Sequence, residues 1–81
     1  MSTTTEKVLS ELEAITGTDE VRKNPDIDLF GEKILDSFGT VELIVALSDG
    51  LGIEISPGQV DRISWATPRK IIEDVEKRMQ A

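Results

Sequence analysis

Apolar residues recur at helical spacing in three stretches of this chain, and each stretch is bounded by residues that start or stop helices. From about Thr5 to Thr16, Val8, Leu12 and Ile15 fall at i, i+4 and i+7, one buried stripe, with Gly17 as a stop behind them. A second helix runs from about Ser37 to Leu51, opening behind Asp36 as N-cap and ending at Gly50 and Gly52. At about 100° per residue, Thr40, Val41, Ile44, Val45, Leu47, Ser48 and Leu51 share one broad face, which the pattern assigns to the core. The opposite face carries Phe38, Glu42, Ala46 and Asp49, with Leu43 at its border. The last helix starts at Pro68 behind Thr67 as cap and buries Ile71, Ile72, Val75 and Met79. Its charged residues, Arg69, Lys70, Glu73, Asp74, Glu76, Lys77 and Arg78, alternate in sign, as a solvated surface does.

Between the first two helices lies a long connection, residues 18–36, punctuated by Asn24-Pro25 and Gly31. Val21, Ile27, Leu29, Phe30, Ile34 and Leu35 are too many apolar residues for a solvated linker, so this loop is expected to pack onto the helices, and long loops of this kind are often functional. Ile53-Glu54-Ile55 reads as short and extended, and Ser56 with Pro57 opens a short third helix to about Ile63. Trp65 falls in the following loop, with a structural role wedging that loop against the bundle. The pattern predicts an all-α bundle of three main helices plus a short third one, with a long loop after the first. The 81 residues make a single domain, 1–81, with polar residues 1–4 expected to be disordered.

Ser37 stands on the first turn of the second helix, where free backbone N–H groups and the positive end of the dipole favour a phosphate ester. The chain has no histidine, and the Gly-x-Ser-x-Gly elbow is absent. A serine without a base is a poor nucleophile. Ser37 therefore reads as a place where another enzyme attaches a group, against the plainer reading in which Asp36-Ser37 only caps a helix. No catalytic residue is expected.

Composition narrows the partners. Sixteen acidic and nine basic residues leave a net charge of −7, which argues against nucleic acid and for a basic protein partner met by electrostatic steering. Aliphatic residues must supply the core, since aromatic content is 4%. With no cysteine there is no disulfide and no thiolate metal site. No stretch approaches the ~20 apolar residues of a membrane span, and no secretory leader is legible, so a cytoplasmic protein is expected. Asp26-x-Asp28-x-x-Gly31 invites a calcium-loop reading, but Phe30 and Ser37 would stand where oxygen ligands are required. Glu42 with Asp49, and Asp19 with Glu20, are better explained as solvated faces. No metal site is expected.

Leu35-Asp36-Ser37 followed by Thr40-Val41-Glu42-Leu43 resembles the modification site of acyl and peptidyl carrier proteins. The likeness extends over most of the chain, from about residue 21 to 75. Lys23-Asn24-Pro25-Asp26-Ile27, Leu29-Phe30, Asp61-Arg62, Trp65-Ala66-Thr67-Pro68 and Lys70-Ile71 bring it closest to the D-alanyl carriers of Gram-positive bacteria. Gly58-Gln59-Val60 departs from that pattern, where an acidic residue and a phenylalanine are usual, which bears on the third helix and not on Ser37.

The resemblance implies an acyl-carrier-like helical fold and covalent 4′-phosphopantetheine on Ser37, with Asp36 supporting the magnesium of a phosphopantetheinyl transferase. It implies loading by an ATP-dependent D-alanine–carrier protein ligase, then delivery to a membrane-bound D-alanyl acyltransferase that sends D-alanine toward lipoteichoic acid. The chain would be a monomeric carrier, not an enzyme. Phe38, Glu42, Leu43, Ala46 and Asp49 form the expected partner-docking face, an apolar residue beside carboxylates. Two other readings stay open: a fatty-acyl or polyketide-type carrier, and a helical interaction adaptor in which Ser37 is only a cap.

Overall fold

The computed structural model describes residues 3–56, 58, 60–61 and 63–80. They form α1 (Thr3–Thr16), α2 (Glu20–Lys23), α3 (Ser37–Leu51) and α4 (Pro68–Gln80), with no strand among the described residues. α1 packs against each of the other three. It starts at Thr3 rather than at about Thr5, and buries Leu9 beside the expected Val8 and Leu12. Gly52 closes α3 at φ 66°, its N–H donating to the Ser48 carbonyl, a left-handed cap that glycine adopts without a Cβ clash.

α2 is a single turn inside the long connection, too short to leave a periodic signal. It seats Val21 in the core, and Arg22 clamps it to α1 through Nη1 to Glu6 Oε2 (2.8 Å) and Nε to Glu13 Oε1 (2.7 Å). The rest of the connection packs down as its composition requires. Leu29 and Leu35 are buried, the Leu29 N–H donates to the Ala66 carbonyl (2.8 Å), and the Ile34 and Leu35 N–H groups both donate to the Leu29 carbonyl. Arg69, on the first turn of α4, donates its backbone N–H to the Pro25 carbonyl and its guanidinium to both oxygens of Asp26 (2.8 and 3.2 Å). Held at both ends, the loop delivers Asp36 and Ser37 to the start of α3 in one defined position.

Trp65 has the expected structural role: it is fully buried, and its Nε1–H donates to Asp74 Oδ2 (2.9 Å), which also accepts from Arg78. Two burial assignments need correction. Met79 is exposed, and its sulfur accepts from the Thr4 hydroxyl on the first turn of α1. On α3 the buried residues are Gly39, Leu43, Ile44 and Leu47, while Val41 and Val45 face outward. Positions 57, 59 and 62 of the short helix expected over about 56–63 lie outside the described residues. Near its end, Asp61 Oδ1 accepts from the Ile63 and Ser64 N–H groups (3.0 and 2.7 Å), a turn headed by a side chain.

The ion pairs set an expectation for acid stability. Glu6 lies below its usual pKa chiefly through hydrogen bonding from Arg22, and Asp26 below its own chiefly through Arg69. A carboxylate whose pKa is lower in the folded state contributes stability that is full above its unfolded pKa and lost as pH falls through the folded one. The melting midpoint should thus hold steady down to pH ~5 and decline progressively below it. Arg69→Ala should flatten part of that decline in melts recorded against pH; an unchanged acid limb would remove the Asp26 pair from the account.

Candidate functional site

The site is built from the end of the loop and the first turn of α3. Asp36 is extended (φ −119°, ψ −177°), and its Oδ1 accepts the Gly39 N–H at 2.7 Å. Its carbonyl accepts from the Thr40 N–H (2.9 Å) and the Thr40 hydroxyl (2.8 Å). The cap therefore belongs to Asp36, as expected, and Thr40 locks it from the helix side. Gly39 makes this compactness possible: a Cβ there would stand 2.9 Å from Leu35 Cδ1 and 3.3 Å from Ile15 Cγ2. Loop and α1 close on the helix through that missing side chain.

Ser37 lies next to the cap and is exposed. It sits in the positive field of the α3 N-terminus, and the chain contains no histidine to act as a base for its hydroxyl. An apolar pocket of about 170 Å³ opens beside it, lined by Phe30, Ser37, Thr40, Val41, Ile44, Val60 and Asp61. The Asp61 carboxyl is held below its usual range, first by the Ser64 backbone N–H, so the rim of this pocket carries a negative charge at neutral pH. These features suit a covalently tethered anionic ester: an accessible hydroxyl, a helix dipole aligned with it, and an apolar wall for the carbon atoms beyond the phosphate.

Of the expected docking residues, Phe38 is 74% exposed, and Glu42 and Asp49 are exposed on the same side. Ala46 is half-buried. Leu43 is a correction: at 0% exposure it packs in the core and can touch no partner. Val41 (46%) and Val45 (55%), assigned to the core by the pattern, stand out in solvent instead. The exposed stripe is thus Phe38, Val41, Glu42, Val45 and Asp49, at i, i+3, i+4, i+7 and i+11, one continuous helix side. Its apolar part is larger than periodicity indicates. The signal that could have set the face is Gly39, since a glycine on a first turn marks close approach, and Leu43 and Leu47 stand at i+4 and i+8 from it. Nothing in the local pattern points to Val60 and Asp61, which reach Ser37 only through the fold.

Residues 6–75 match the family model described as "Phosphopantetheine attachment site". The chain is also similar to the D-alanyl carrier protein of Enterococcus faecalis, with 52% identity over 71 residues, covering 88% of this chain and 91% of that one.

Proposed function

Since the chain belongs to the phosphopantetheine attachment site family, we propose that it carries D-alanine as a thioester on an arm esterified to Ser37. The observation that carries this is an exposed, capped and base-less serine at the start of α3, in a chain 52% identical to a D-alanyl carrier. When bound, 4′-phosphopantetheine supplies the thiol that holds the cargo. The chain presents the Ser37 hydroxyl, surrounds its ester with a favourable dipole, and offers partners the outer side of α3. It is a carrier and not an enzyme. Tethering raises the effective concentration of cargo at each partner in turn, and docking that is weak and fast lets one small domain, 1–81, serve several.

The partners in this reading are a phosphopantetheinyl transferase, an ATP-dependent D-alanine ligase and a membrane-bound acyltransferase. The carrier works as a cytoplasmic monomer; among the described residues no helix is long and apolar enough to cross a membrane. Incubation with coenzyme A and a transferase should add the arm to Ser37 by intact mass. A ligase panel with D-alanine, other amino acids and fatty acids should then load D-alanine preferentially. Preferential loading of a fatty acid would transfer the chain to the fatty-acyl carriers.

Asp36 supports the transferase's magnesium in this scheme, a hard cation that prefers anionic oxygen. Asp36→Asn keeps a good cap and should slow arm attachment by about tenfold or more, with a melting midpoint close to the native one. Equal attachment rates would release Asp36 from that role.

The outer side of α3 should read as electrostatic and apolar at once. Reversing Glu42 and Asp49 to lysine should preserve the fold, since both are exposed and a cation near the helix C-terminus suits the dipole. Loading should fall, and the native rate should itself drop with salt, because exposed charges are screened over ~10 Å at 0.1 M. Phe38→Ala should also lower loading while leaving the salt dependence in place. Native loading by both variants at every salt concentration would make this side plain solvated surface.

A further inference from the structure

The loop turn that leads into α3 is closed by a lysine where glycine is the usual choice. The Lys33 N–H donates to the Phe30 carbonyl (3.1 Å) and the Ile34 N–H to the Leu29 carbonyl (2.9 Å), the pair of bonds that ends a helical turn on a left-handed residue. Lys33 is that residue, at φ 58°, and among the described residues it is the one non-glycine with a positive φ. A Cβ in this conformation crowds the following carbonyl, so glycine would close the same turn with less strain. The backbone gives no reason for a lysine here, and the reason lies in its side chain.

That side chain is exposed and makes no ion pair among the described residues, unlike Lys7, Arg22, Lys23, Arg69 and Arg78. It lines a pocket of about 430 Å³ with Phe30, Leu35 and Asp36. Phe30 also borders the pocket that holds Ser37 and Asp61, so the two cavities flank the same stretch of chain. Among the described residues lining either cavity, Lys33 is the only cation, against the carboxylates of Asp36 and Asp61. Both carboxylates are engaged by local backbone, Asp36 by the Gly39 N–H and Asp61 by those of Ile63 and Ser64.

Resting on the reading that Ser37 carries the phosphopantetheine arm, we propose that Lys33 is the cationic contact for the phosphate that attachment places on Ser37. The phosphodiester brings a further negative charge to a chain that already stands at −7, beside Asp36. Lys33 is the cation closest to Ser37 in sequence, and the left-handed turn sets its side chain in the wall it shares with Asp36. An ammonium on a flexible stem acts as a point charge toward phosphate and needs no fixed fork geometry. The contact offsets the charge that attachment adds, and holds the root of the arm on the loop side of α3, away from Glu42 and Asp49.

Carbon and phosphorus NMR test this, after intact mass has established the arm on Ser37. With the lysine ε-carbons labelled, attachment should move the Lys33 resonance by more than its linewidth and leave that of Lys77, an exposed lysine on α4. Raising salt to about 0.5 M should shrink the Lys33 shift, since exposed charges are screened. Lys33→Gln should move the phosphodiester phosphorus signal, and Lys77→Gln should leave it in place. The unmodified chain mixed with equimolar coenzyme A should show no Lys33 shift, because the contact depends on the tether. An equal shift there would overturn the tethered contact and make Lys33 a general phosphate binder. Lys33→Gly should melt no lower than the native chain, as the left-handed turn suits glycine; a lower midpoint would make the lysine structural and overturn the proposal. An unmoved Lys33 resonance, in a chain whose mass carries the arm, would overturn the contact and leave Ser37 as the attachment point. A chain that never gains the arm's mass would overturn the attachment reading, and this inference with it.

Discussion

Ser37→Ala gains no prosthetic mass from coenzyme A and a transferase, while its fold and melting midpoint stay close to those of the native chain. The two halves of this outcome have separate causes. Attachment is lost because the ester oxygen is gone, and the neighbouring hydroxyl cannot replace it: Thr40 donates to the Asp36 carbonyl at 2.8 Å and is held one helical turn further on. Stability is kept because the cap is made by Asp36, whose carboxylate accepts the Gly39 N–H. An exposed substitution that breaks no cap falls within about 0.5 kcal/mol of neutral. Intact mass and a thermal melt read both halves. An alanine variant that still gains the arm would place attachment elsewhere, and a collapsed melting midpoint would make Ser37 a structural residue.

Leu43→Ala and Val45→Ala separate core from docking surface on a single helix. Leu43 is fully buried against the core and Val45 is more than half exposed. Truncating a buried leucine costs about 2–5 kcal/mol through lost transfer energy and the cavity left behind. A domain of this size holds roughly 5–15 kcal/mol in all, so Leu43→Ala should shift the urea midpoint far down or unfold the chain outright. Val45→Ala should leave the midpoint nearly unchanged, since little area is buried there and alanine has the better helix propensity. Its effect should appear in ligase loading, as part of the apolar stripe with Phe38 and Val41. The opposite pattern, a large midpoint loss for Val45 and a loading defect alone for Leu43, would restore the helix face that periodicity assigns.

The existence of the helices was legible because their boundaries are local chemistry. Asp36 caps, Gly17 and Gly52 stop, and Pro68 starts, each through the backbone of its own immediate neighbours. Ser37 was singled out by its resemblance to the carrier modification site over Leu35-Asp36-Ser37 and Thr40-Val41-Glu42-Leu43, since a serine behind a capping aspartate by itself reads equally as part of a cap. The loop's burial came from its apolar content, since Leu29 and Leu35 could not be left in water. The one-turn α2 left no pattern, because four residues are shorter than a helical repeat can reveal.

The face of α3 was another matter. Apolar residues surround that helix, so periodicity alone allows several core faces of similar quality. The packing of α1 against it selected the row Gly39, Leu43 and Leu47, and the missing Cβ of Gly39 leaves room for Ile15 of α1. That choice turned Val41 and Val45 outward and removed Leu43 from the docking surface. The pocket beside Ser37 depends on residues as distant in sequence as Phe30 and Asp61. The sequence by itself determined where α3 and α4 begin and that Ser37 follows a capping aspartate, because capping and backbone geometry act within a few residues. Only the tertiary structure decided which side of α3 partners can touch and what lines the pocket, because those depend on which surfaces remain once distant segments have buried the rest.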